Sequence, residues 1–264
     1  MLIIGERINS SRKPIARAIV AHDTGFIQNE ARIQAERGAD YIDVNAGAFM
    51  DKEADQLKWV IETVQEVTEK PLCLDSADPK VIQAVIPLVE SPPMINSITL
   101  EPERLEILLP LAVEHKAKVI ALCQAHDSLT HTTEAKVELA DRLAEASVSA
   151  GVSLDDLYID PLVFPLASDT QSALVALEVI SRIMENHPGV HTTCGLTNIS
   201  YSLPERKLVN RTFLITAIAF GLDSAVLDPT DNKLYGALKA ALMVMGRDKF
   251  CLDYISAFRQ ERLG

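Results

Sequence analysis

Residues 72–85 read Leu72-Cys73-Leu74-Asp75-Ser76-Ala77-Asp78-Pro79-Lys80-Val81-Ile82-Gln83-Ala84-Val85. Three apolar residues end on an acid, and a second acid follows directly before a proline and an amphipathic run. A short apolar run of this kind reads as a buried strand. Asp78 reads as the N-cap of a helix whose first position is Pro79, where the missing N–H costs nothing. The unit is strand, short loop, helix. Asp75 closes the strand and has no cap to make, because Asp78 makes it.

Seven further runs share this layout: Leu2 to Gly5, Tyr41 to Val44, Met94 to Asn96, Lys118 to Leu122, Leu157 to Ile159, His191 to Gly195 and Ala225 to Leu227. Their ends advance by about 32 residues per step, the length of one strand with its crossover helix. Glu101-Pro102-Glu103 opens another helix with negative charge at the favourable end of its dipole. Gly38, Gly151 and Gly221 each end a helical run in the place where a left-handed residue stops it. Eight βα units fit a closed (β/α)8 barrel, an α/β fold of the TIM type, better than an open sheet. No linker or charge block interrupts residues 1–264, which predicts one domain. The longest irregular connections expected are Ile8 to Thr24 and Pro161 to Asp169, both at strand C-termini, where barrel active sites are built.

Charge and composition narrow the function. The 264 residues hold 25 Lys plus Arg against 37 Asp plus Glu, a net charge of -12, which argues against binding nucleic acid through its phosphates. At 48% apolar and 23% charged, the chain has material for a large core and no bias toward disorder. The run Met1-Leu-Ile-Ile-Gly5 is too short for a signal peptide, and the apolar stretch Thr212 to Leu222 falls short of the ~20 residues that cross a bilayer. A cytoplasmic protein with no membrane attachment is expected. Cys73, Cys123, Cys194 and Cys251 form no C-x-x-C pair and read as small buried hydrophobes in a reducing compartment.

The residues closing the strands are polar: Glu6 with Asn9, Asp43 with Asn45, then Asp75, Asn96, Gln124, Asp160, Asn198 and Asp228. Such a ring, with no His or Cys cluster for a metal and no glycine-rich phosphate loop, suits a planar, uncharged heterocycle rich in N–H and C=O groups. Asp160 precedes Pro161 and an irregular loop and reads as functional. Asp228, before Pro229 and a helical run, reads as a cap of the next helix. His126 and His131 near the fifth strand read as surface loop histidines. Arg206 and Lys207 either hold an anionic tail of the ligand or open the next helix.

Six segments, in order, resemble the pterin-binding methyltransferases that move a methyl group between tetrahydrofolate and a corrinoid protein: Leu2-Ile-Ile-Gly-Glu-Arg-Ile-Asn9, Leu72-Cys-Leu-Asp75-Ser76, Met94-Ile-Asn96-Ser97, Asp156-Leu-Tyr-Ile-Asp160-Pro161-Leu162, Gly195-Leu-Thr-Asn198-Ile-Ser200 and Asn210-Arg-Thr-Phe213. The resemblance runs from residue 1 to about residue 250, and that family's fold is a TIM barrel. It implies that Asp75, Asn96 and Asp160 hydrogen-bond the pterin and that Asn198 sits beside N5, the atom carrying the methyl group. It implies further that Gly195 lets the backbone approach the ring and that Arg206 lies near the p-aminobenzoyl and glutamate end. Tyr201 and Ser202 depart from the polar amides frequent there, so the outer folate contacts differ.

The resemblance also implies tetrahydrofolate or 5-methyltetrahydrofolate as substrate, cobalamin carried by a partner corrinoid protein, no metal bound in this chain, and a homodimer. Asn198 would act as the catalytic residue by hydrogen-bonding N5 as charge changes there, with the proton coming from solvent or a held water. Dihydropteroate synthase shares the fold but needs a Lys and an Arg-x-His near its last strand, where this chain has Val226-Leu-Asp-Pro229. Zinc-dependent transfer to a thiol lacks its ligands here. A non-catalytic folate-binding barrel remains the alternative from another class.

Overall fold

In the computed structural model, which describes residues 1–124 and 131–264, eight parallel strands form one sheet. They are β1 (Leu2–Asn9), β2 (Tyr41–Asn45), β3 (Leu72–Asp75), β4 (Met94–Ile98), β5 (Lys118–Leu122), β6 (Leu157–Asp160), β7 (His191–Thr192) and β8 (Ser224–Leu227). The sheet order is β7-β6-β5-β4-β3-β2-β1-β8, so nearly every strand lies beside its neighbours in sequence. Val226 brings the two edges together. It pairs with Ile4 of β1, forms an isolated bridge to Gly195, and its N–H donates to the Cys194 carbonyl at 2.9 Å. Strand β7 is therefore shorter than the expected His191 to Gly195, and the barrel closes through that bridge.

Helices follow the strands around the outside: α1 (Lys13–Ala21), α2 (Thr24–Glu36), α3 (Glu53–Gln65), α4 (Pro79–Val85), α5 (Pro102–Glu114), α6 (Thr133–Ser149), α7 (Ser172–Asn186), α8 (Arg206–Ala219), α9 (Asn232–Val244) and α10 (Leu252–Arg259). Asp78 caps α4 by accepting from the Lys80 N–H at 2.8 Å, with Pro79 behind it. Gly38, Gly151 and Gly221 take φ of +91°, +99° and +114° after α2, α6 and α8, as their positions required. None of the described helices is long and apolar enough to cross a membrane.

Two expectations are corrected. Residues 8–24 are not an irregular connection: β1 extends to Asn9, and α1 follows almost at once. Its N-cap, Arg12, makes no capping hydrogen bond with its side chain among the described residues, so the segment carries no capping signature to read. Asp228 does not cap the last barrel helix. It accepts from the Thr230 N–H at 2.9 Å and from Arg7 at 3.0 Å, while Asp231 caps α9 through the Leu234 N–H. The expected loop Pro161 to Asp169 is irregular, and Cys73, Cys123 and Cys194 are buried thiols as read.

The core has two parts. Outward-facing strand residues pack under the helices, including Ile42, Leu74, Ile95, Val119 and Ile159. Inward-facing residues Ile4, Tyr41, Cys73, Met94, Ile120 and Tyr158, one from each of six strands, fill the barrel. Side chains alternate along a strand, so the residue two positions further on faces the same interior at the next level. Those residues are Glu6, Asp43, Asp75, Asn96, Leu122 and Asp160. An apolar floor thus carries a mostly polar layer at the C-terminal mouth.

Candidate active site

That polar layer lines a cavity of about 770 Å³, a size suited to one drug-sized molecule. Its wall includes every site residue expected from sequence: Asp75, Asn96, Asp160, Gly195, Asn198 and Arg206. Glu6, Asn9, Asp43 and Asp228 of the strand-end ring also reach it. Asn45 and Gln124 are not among its lining residues. Asn45 works from behind, donating from Nδ2 to Asp75 Oδ2 at 3.0 Å, and β5 contributes Ile120 and Leu122 instead of Gln124.

The carboxylates are held away from water. Burial pushes Asp75 up to about 6, an effect opposed by the hydrogen bond from Asn45. Asp160 also rises to about 6 through burial, opposed by the Leu162 N–H that donates to its Oδ1 at 2.7 Å. Asp43, below them, is pushed well above the usual carboxylate range by burial and then by the charge of Asp75; Asn96 Nδ2 approaches its Oδ1 at 3.5 Å. Glu6 rises to about 7, first by burial and then by Asp228. Carboxylates stripped of water gain most from a ligand that returns N–H donors to them. The ring therefore suits a heterocycle carrying paired N–H groups.

Buried cations behind the wall fix its loops. Arg104, on α5, donates to the carbonyls of Ser76, Ala77 and Ser97, and so ties together the loops that follow Asp75 and Asn96. Lys136, on α6, donates through Nζ to the carbonyls of Pro161 at 2.6 Å and Leu162 at 2.7 Å, just beyond Asp160. Neither residue was marked by sequence, since each reads as an ordinary helical cation until its partners are known.

Asn198 lies in the 3₁₀ turn Leu196–Ser200 and is exposed to the cavity. Its Nδ2 rests against Gly195, where a Cβ would come within 3.0 Å of it. Gly195 has φ -69°, a conformation any residue adopts, so the glycine leaves room for the asparagine rather than for an unusual backbone. Arg206 opens α8, one of its two sequence readings, and also lines the cavity. Its Nε donates to Ser200 Oγ at 3.1 Å and its Nη2 to the Thr197 carbonyl at 2.9 Å, clamping the Asn198 turn. Lys207 reaches Asp231 at 3.2 Å.

Ser11, Arg12, Thr197 and Asn210 also line the cavity, although their sequence positions did not mark them as site residues. Asn210 is the most telling, with a buried Oδ1 that lacks a hydrogen-bond partner among the described residues; its only signal in sequence was membership of the segment Asn210-Arg-Thr-Phe213. His131 lies on the surface, its Nδ1 3.9 Å from Asp169, whereas His126 falls outside the described residues. Among the described residues no group of three or more His, Cys, Asp or Glu side chains is placed to hold a metal ion.

Comparison with known proteins agrees with this architecture. The family described as pterin binding enzyme matches residues 5–228. A methylcorrinoid:tetrahydrofolate methyltransferase from Eubacterium limosum is 39% identical over 266 residues, covering 100% of this chain and 98% of that protein. A methionine synthase from Mycobacterium tuberculosis is 30% identical over 240 residues, 86% of this chain but 20% of that longer protein. Among solved structures, a dihydropteroate synthase from Coxiella burnetii bound to pteroic acid superposes with a TM-score of 0.70 at 19% identity, covering 92% of each chain. One from Xanthomonas albilineans bound to 7,8-dihydropteroate gives 0.68 at 20%, over 94% and 93%. The likeness to these synthases is one of fold. With a barrel that closes at Val226, a polar mouth over an apolar floor and a family match across most of its length, the chain belongs to the pterin binding enzymes.

Proposed function

We propose that this chain is a methyltransferase that moves a methyl group between N5 of tetrahydrofolate and the cobalt of a corrinoid carried by a separate protein. The observation that carries the reading is the ring of water-deprived Asp75, Asn96 and Asp160 in a cavity shared with Asn198, together with the full-length likeness to a methylcorrinoid:tetrahydrofolate methyltransferase. Asp75 and Asp160 accept from the N–H groups of the pterin, and Asn96 donates and accepts beside them. Arg206 lies at the end of the cavity that takes the p-aminobenzoyl and glutamate portion.

The chemistry asks little covalent work of the protein. A tertiary amine is a poor leaving group unless N5 gains a proton or hydrogen bond as the C–N bond breaks. Asn198 supplies a hydrogen bond at N5 that strengthens as charge changes there, which lowers the barrier rather than merely the binding constant. The ring-binding residues supply position. The corrinoid is a second substrate and approaches over the open mouth.

The test supplies a methylated corrinoid and tetrahydrofolate and measures 5-methyltetrahydrofolate, beside a control with a pterin pyrophosphate and p-aminobenzoate. Formation of methyltetrahydrofolate supports the reading. Formation of dihydropteroate, or tight folate binding without transfer, would favour the synthase or the non-catalytic barrel. On the same reading the enzyme works in the cytoplasm as a homodimer, using a face of α8 on which Leu208 and Ile215, seven residues apart, are 57% and 45% exposed. A monomeric mass by light scattering at micromolar concentration would contradict the dimer.

A further inference from the structure

Glu6 is a cavity carboxylate to which the reading above gives no work. It follows Ile4 by two positions on β1 and, like Ile4, faces the barrel interior. Ile4 pairs with Val226, and Val226 bridges Gly195, so the ends of β1 and β8 and the turn after β7 meet on one side of the mouth. Asn198 sits in that turn. Its neighbour Thr197 donates from Oγ1 to Glu6 Oε2 at 3.4 Å. Asp75 and Asn96 come from β3 and β4, across the barrel, and hold the other edge of whatever fills the cavity.

We propose that Glu6 is the general acid–base of the methyl transfer, an inference that rests on the function proposed above. As the N5–CH3 bond breaks, the methyl group passes to the nucleophilic cobalt of the partner and the bonding pair stays on N5. The Glu6 carboxyl O–H gives its proton to N5, directly or through one water, and leaves a carboxylate beside a new N5–H. In the opposite direction the N5 lone pair takes the methyl group from cobalt, which keeps the Co–C bonding pair. The N5–H proton returns to Glu6.

The surroundings suit this work. Burial and then the charge of Asp228 raise the Glu6 carboxyl, while Arg12 and Arg206 pull it down, for a result of about 7. Asp43 on β2 faces it as a further acid, and Thr197 hydrogen-bonds it. An acid that titrates near the working pH is present in both forms, the condition for efficient proton transfer. The other cavity acids are committed elsewhere: Asp43 to Asn96, Asp75 to Asn45, Asp160 to the Leu162 N–H, and Asp228 to Arg7 and Thr230.

The experiment is single-turnover transfer from methyltetrahydrofolate to Co(I) cobalamin between pH 5.5 and 8.5 for wild type, Glu6→Gln and Glu6→Asp, with folate affinity measured by titration. The wild-type rate should fall as pH rises through about 7. Glu6→Gln should lose on the order of 100-fold in rate and lose that bend, with affinity changed less than about threefold, and Glu6→Asp should recover part of both. A Glu6→Gln enzyme that keeps the bend, or that loses only affinity, would overturn the inference. A wild type that transfers nothing would instead overturn the function on which it rests.

Discussion

Gly195 and Asn198 show how one missing side chain sets a functional geometry. Sequence marked both residues, and the side chain that lies against the glycine in the structure is the asparagine amide. Gly195→Ala puts a methyl group 3.0 Å from Asn198 Nδ2, closer than an ordinary contact, and so displaces the amide without straining the backbone. The account expects a transfer rate lowered ~10-fold or more, folate affinity changed much less, and an unfolding midpoint near wild type. Steady-state kinetics with a thermal melt checks this; equal losses of rate and affinity would contradict the role given to Asn198. Asp75 was legible for a simple reason, since Asp78 already makes the cap and leaves Asp75 no structural work. Glu6 was visible as a strand-end acid, but nothing in sequence singled it out from the rest of the ring; Asp228, read as a cap, is occupied instead by an Arg7 ion pair and a turn to Thr230.

Elements place these residues, and here sequence was informative about strands and blind to their supports. Each expected strand has a counterpart within a few residues, because parallel strands buried on both faces are short apolar runs. The exceptions have local causes. Strand β1 runs on past Gly5 because its register against β2 shifts between Gly5 and Ile8, and the freed Arg7 N–H donates to buried Gln34 Oε1 at 3.0 Å. That partner comes from α2, 27 residues away, and no local pattern announces it. Lys136 is a similar case. It leaves α6 to hold the carbonyls of Pro161 and Leu162, and its charge also favours the ionised form of Asp160. Lys136→Met should cost about 1–3 kcal/mol by leaving two carbonyls unpaired. It should also move Asp160 further upward, so that folate affinity suffers more at pH 6 than at pH 8. Chemical denaturation and titration at the two pH values test this. A loss of affinity independent of pH would mean that Lys136 holds only the loop.

For the whole molecule, the division is between an apolar barrel interior and an acidic mouth. Part of the net charge of -12 that argues against nucleic acid sits in this cavity, where Glu6, Asp43, Asp75 and Asp160 would be costly without a ligand that gives hydrogen bonds back. The periodic strand ends made the barrel readable from sequence, because they repeat along its whole length. The closure at Val226 and the convergence of β1, β8 and the β7 turn were not readable, since they join residues about 30 to more than 220 positions apart. On the function proposed above, such a site binds and polarises a folate, and the methyl acceptor or donor comes from outside. Mixing the protein with methyltetrahydrofolate and Co(I) cobalamin, and in a second cell with methylcobalamin and tetrahydrofolate, follows that claim at the cobalt spectrum. Protein-dependent conversion of Co(I) to methyl-Co(III) is expected, with Asn198→Ala slowing it more than it weakens folate binding. No methyl transfer in either direction would contradict it.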